Sequence, residues 1–140
     1  MAKIYQYQKA SDDFTEYRVQ GEGVNELCTI DGITFISVTN ELPAYDERLT
    51  VTETVLTAEL LSQIKGSSPH VALINERIKS KIREKYDAED EMYFARISIG
   101  TMMGAYTFQA GEQEAVLAYG AFIESIRQGG RAEKEALGLA

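Results

Sequence analysis

A chain of 140 residues is long enough for one domain with a modest core, and its 44% hydrophobic and 26% charged composition excludes wholesale disorder. A formal charge of −8 argues against nucleic acid as a partner, because phosphate binding relies on a basic surface. Residues 1–56 hold four Lys/Arg against ten Asp/Glu, so most of the acidic surplus lies there. Cys28 and His70 are the only cysteine and histidine, too few for an intrachain disulfide or a tetrahedral zinc site from one chain. The opening MAKIYQYQ lacks the apolar run of a signal peptide. The most apolar window, Met92 to Tyr106, contains Arg96 and is too short to span a bilayer. A soluble protein with no membrane partner is expected.

In chain order, residues 3–8 (KIYQYQ) and 14–19 (FTEYRV) are short, aromatic and β-branched, with a turn predicted at Ser11-Asp12-Asp13. ELCTI and ITFISV flank Asp31-Gly32, the strongest hairpin signal in the chain, because a type I′ turn needs positive φ at both central residues. Leu42-Pro43-Ala44 reads as a loop, and residues 48–56 as another strand or an extended arm. At Thr57 the period changes. Thr57 is predicted to cap a helix from Ala58 to Ile64, with Gly66 ending it.

Ser68 and Pro69 then suit the cap and first position of a second helix, whose Val71, Ile74, Ile78, Ile82 and Tyr86 fall on one stripe. Cations at 77–85 suit its C-terminal end. Asp87 is the expected cap of a third helix to about Met103, with Glu89, Asp90 and Glu91 at its positive end. That helix is expected to bury some of Met92, Phe94, Ala95, Ile99, Met102 and Met103. A fourth, Gly111 to Gln128, presents Ala115, Val116, Tyr119, Phe122, Ile123 and Ile126. Gly129-Gly130 reads as a hinge or stop, worth about 2 kcal/mol of lost helix propensity, with RAEKEAL free to resume as a short helix. The fold class is α+β: a small antiparallel β-rich part, residues 1–56, followed by a helical part of three to four helices, residues 57–140.

No stretch forms a recognisable catalytic constellation. The carboxylates at 87–91 lack the spacing and glycine of an EF-hand loop, and a helix N-terminus accounts for them without a metal. The basic run at 77–85 reads as a solvated face, or as a surface for an acidic protein. Gly100-x-x-x-Gly104 reads as tight packing or a fraying helix end before a dimer seam. His70 with Ser67 and Ser68 has no glycine-elbow context, and Cys28 reads as a small buried apolar residue. Tyr5, Tyr7, Phe14 and Tyr17 either form an exposed aromatic surface or fill a small sheet. Tyr5, Tyr7 and Tyr17 are the candidate partner contacts.

The segment SPHVALINERIKSKIREKYDAEDE (residues 68–91), with EKEALGL (133–139), resembles the C-terminal parts of small proteins encoded among bacteriophage tail and tail-fibre genes. The likeness rests on Ser68-Pro69, Leu73-Ile74-Asn75, Ile82-Arg83, Tyr86 and Glu89-Asp90-Glu91, and includes no catalytic residue. It implies a non-enzymatic structural or adaptor component of a tail, tail fibre or baseplate. The alternative is a fibre-assembly chaperone absent from the mature virion. The implied setting is the virion tail, or the host cytoplasm during assembly. The implied partner is a larger tail or fibre protein, with self-association also in view and no cofactor, metal or nucleic acid.

Overall fold

A computed structural model of the chain describes residues 2–140, which form six strands and four helices. Strands β1 (Lys3–Gln8), β4 (Val24–Ile30), β5 (Ile33–Val38) and β6 (Thr52–Glu53) make one antiparallel sheet in the order β4-β5-β1-β6. β2 (Ala10–Ser11) and β3 (Glu16–Tyr17) form a separate two-stranded ribbon. The helices are α1 (Ala58–Ser67), α2 (Pro69–Lys85), α3 (Ala88–Met102) and α4 (Glu112–Ala136). This is the α+β order expected. Among the described residues no helix is long and apolar enough to cross a membrane.

The chain divides into two compact units, Met1–Ile74 with Arg131–Ala140, and Asn75–Gly130. The division does not follow the change of period at residue 57. In the first unit β5 is central and buried on both sides. Phe35 joins Ile4, Leu27, Cys28, Ile64, Val71 and Leu139 in one cluster, while Ile36 and Val38 join Tyr7, Val19 and Leu49 in another. Successive strand residues face opposite sides, so two covers are required. The register shift between Glu26 and Cys28 leaves Leu27 unpaired, and consecutive Leu27 and Cys28 both join the helix-side cluster. Asp31 and Gly32 take positive φ, 50° and 78°, as the hairpin requires.

Element bounds shift in several places. Residues 48–56, expected as a strand or an extended arm, pair only through the two-residue β6, because Leu49 is drawn into the second cluster and Val55 is exposed. The run at 14–19 shortens to β3, since Phe14 and Thr15 donate their backbone N–H groups to Asp12 Oδ1 at 2.9 and 2.7 Å in a turn. α1 continues through Gly66 and ends at Ser68, whose extended backbone (φ −77°, ψ 123°) is what a following proline favours. Gly129-Gly130 does not stop α4. Two glycines cost about 2 kcal/mol of propensity. That loss is offset where the continued helix delivers a fully buried Leu139, worth about 1.5–3 kcal/mol, and a partly buried Leu137. The helix then closes through Gly138 (φ 78°): Gly138 N–H donates to Glu135 O at 2.8 Å and Leu139 N–H to Lys134 O at 2.9 Å.

The caps separate an expectation that holds from one that does not. Asp87 accepts from Asp90 N–H at 2.7 Å and Asp90 Oδ2 accepts from Asp87 N–H at 3.1 Å, a reciprocal capping box. The Ser68 carbonyl accepts from Ala72 N–H at 3.1 Å, but its hydroxyl is buried with no hydrogen-bond partner among the described residues. Asp87→Ala should therefore lose about 1 kcal/mol of stability. Ser68→Ala should lose none and can gain, because it removes an unsatisfied buried oxygen. Urea denaturation of the two variants checks the contrast.

Candidate functional site

In the first unit the exposed feature is the tip of the β2–β3 ribbon. Phe14 is 97% exposed there, the most exposed of the large apolar residues among those described. Its turn is held by Asp12, which also accepts from the Tyr17 hydroxyl at 2.6 Å. That bond, with the two backbone N–H groups, holds the Asp12 carboxyl below its usual range and pushes the Tyr17 phenol up. The Arg48 guanidinium lies 4.8 Å from the Tyr17 ring centroid and pairs with Asp46 at 3.1 Å. Lys9, Glu16, Arg18 and Glu26 form a chain of surface ion pairs, at 2.9, 3.0 and 3.1 Å, from the ribbon to β4.

The three tyrosines expected at this surface are placed differently from one another. Tyr7 is buried at 2% exposure, with Val19 N–H donating to its hydroxyl at 3.4 Å, so it is a core residue and presents no ring to a partner. Burial is the main reason its phenol is pushed up. Tyr5 and Tyr17 are half-buried and pack against the Tyr7 cluster. Phe14 is the aromatic residue that the turn displays. The signal for it was its place directly after Asp12-Asp13: a residue at a turn tip has nothing to pack on.

The second unit is tied by two carboxylates. Glu91 accepts from the Arg83 guanidinium and from the Tyr119 hydroxyl, the latter at 2.6 Å. Glu112 accepts from Tyr106 OH and Gln109 N–H, each at 2.6 Å, and from Tyr93 OH. Tyr86 sits at the centre of an aromatic group, edge-on to Tyr119, Phe122 and Phe94 at 5.0, 5.5 and 5.7 Å. Lys85 Nζ lies 4.7 Å from the Phe122 centroid.

These bonds move the groups away from neutrality. The Tyr119 hydrogen bond and Arg83 hold Glu91 below the usual carboxylate range, while burial and Glu91 push Tyr119 up to about 12. Tyr106 is pushed up to about 12 by Glu112, which is itself held low. These pairs are clasps between helices.

Among the described residues no three His, Cys, Asp or Glu side chains come together to hold a metal ion. Burial pushes the Cys28 thiol up, and the residue lies in the core. Along α2, Arg83 is taken by Glu91 and Lys79 by Glu76 at 3.4 Å, so part of the basic run is engaged within its own unit. Gly100 serves tight packing: a Cβ there would lie 2.8 Å from Tyr106 Cβ. Of the apolar set from which α3 was expected to bury some, Phe94 is half-buried, while Met92 is 61%, Ile99 57%, Met102 86% and Met103 77% exposed. Ile97 is the residue α3 buries. The chain matches no protein-family model, no curated protein and no solved structure.

The tyrosine clasps make a pH prediction. The folded pKa of Tyr119 lies above its unfolded value of about 10. Its contribution is therefore complete below that pH and is lost as pH rises toward about 12. Glu91 is the opposite case, contributing above its unfolded value of about 4.3 and losing that as pH falls through the lowered folded value. Tyrosinate absorbance of the folded chain should still be rising near pH 12, and Tyr119→Phe should remove part of that last rise. The same variant should cost ~1 kcal/mol at neutral pH, discounted for partial exposure.

Proposed function

We propose that this chain is a non-enzymatic structural or adaptor component of a bacteriophage tail, tail fibre or baseplate, acting by protein–protein contact. The observation that carries the contact reading is Phe14, 97% exposed at a turn that Asp12 closes with three hydrogen bonds. A large apolar ring displayed in water on a turn whose backbone is already fixed has little backbone entropy left to lose on binding, which is what an interface anchor needs. Tyr17 and Tyr5 are half-buried aromatics packed against one cluster, and the charges around Tyr17 would form a polar rim. The phage setting and the larger tail or fibre partner rest on the resemblance of residues 68–91 and 133–139 to small tail-gene proteins. The second reading is a fibre-assembly chaperone, which the same surface would serve.

Removing residues 1–56 is a poor test, because Ile64, Val71 and Leu139 pack on that sheet and would lose it. Phe14→Ser changes the surface alone. Co-purification with the larger tail or fibre proteins encoded nearby should fall at least about tenfold in this variant, the scale of one lost anchor, with circular dichroism unchanged. Unchanged binding would move the contact away from the ribbon. Mass spectrometry of purified virions divides the two readings: a subunit is present at a fixed ratio, a chaperone is missing.

A further inference from the structure

α3 is apolar on the face it turns to water. Ala88, Met92, Ala95, Ile99 and Met102 follow one another at steps of four, three, four and three, the spacing of a heptad seam, and all five are exposed. The opposite face carries the unit's own packing: Ile97 is buried and Phe94 stacks on Tyr119 at 5.0 Å, while Glu91, at the edge of the seam, is engaged by Arg83 and Tyr119. An exposed 3-4 seam of this kind needs a cover.

The flanking charges say which. Beside the seam, Glu89 and Arg96 occupy equivalent heptad positions seven residues apart, about 10.5 Å along the axis, too far to pair with each other. Both are exposed, and among the described residues neither has an ion-pair partner. With Asp90, Met92 and Tyr93 they line a surface depression of about 540 Å³.

We propose that α3 pairs antiparallel with α3 of a second copy of this chain. The pair is two-fold symmetric: Met92 packs across from Ala95 of the other copy, and Ala88 from its Ile99. In that register Glu89 faces the other copy's Arg96, and symmetry makes the pair twice. Sliding by one heptad would instead set Arg96 against Arg96. A parallel pair would bring Arg96 toward Glu91, which Arg83 and Tyr119 already occupy. Charge thus selects both direction and register. Two heptads bury less than the ~1,200 Å² of a standard stable interface, so the association is weak and concentration-dependent.

Analytical ultracentrifugation of the full chain should show a monomer–dimer equilibrium, favouring dimer as concentration rises toward millimolar. Arg96→Glu, and separately Glu89→Arg, should weaken dimerisation at least about tenfold, because each sets like charges face to face twice. The double variant Glu89→Arg/Arg96→Glu should restore it to within about threefold of the original, since the reciprocal pairs re-form with signs exchanged. Circular dichroism of all three confirms that α3, capped by Asp87 and Asp90, is intact. A chain that stays monomeric at millimolar concentration overturns the proposal. So does a double variant no better than the singles, which would mean that Glu89 and Arg96 do not meet.

Discussion

Both faces of β5 have to be covered, and most of the first unit follows from that. The strand carries Phe35 toward one side and Ile36 and Val38 toward the other, and none of the three is more than 4% exposed. A four-stranded sheet cannot cover its own faces, so the covers come from elsewhere in the chain. Ile64, Val71 and Leu139 supply one, from two helices and a segment more than a hundred residues away from β5. Val19 and Leu49, both from irregular segments, supply the other. Loop residues with no regular pattern are therefore as necessary to this unit as its strands.

The second unit solves a different problem with different means. Its α2 and α3 meet at a tight connection through Tyr86 and Asp87, where the capping box satisfies the first free N–H groups. Tyr86 then fills the space between helices, and Glu91 joins residues of three of them by accepting from Arg83 and Tyr119. These polar ties turn one side of α3 inward and so commit the other side to the surface. The exposed seam is a consequence of how the clasp is built.

Local chemistry was legible wherever a residue acts on its immediate neighbours. The Asp31-Gly32 hairpin, the Thr57 and Asp87 caps, the Val71-to-Tyr86 stripe and the α+β order all depend on sequence separations of a few residues. What misled was any inference in which a residue's fate is decided by a distant one. Ser68 has the identity and backbone of a cap, yet its hydroxyl is buried without a partner. Gly129-Gly130 has the propensity of a break, yet the helix continues to the residues that anchor Leu139.

The candidate contact residues show the same boundary. Tyr5, Tyr7, Phe14 and Tyr17 are alike in composition and equally able to fill a sheet or face a partner. The sequence by itself determined that aromatic residues would alternate along β1 and that a turn would follow Ser11. Only the tertiary structure decided that Val19 and Leu49 would close over Tyr7 while nothing would reach Phe14. Periodicity names the face of an element, but burial depends on which other element arrives to cover that face. On α3 the choice fell to Tyr86 and Tyr119, whose rings meet Phe94, and Met92, Ile99 and Met102 were left in water.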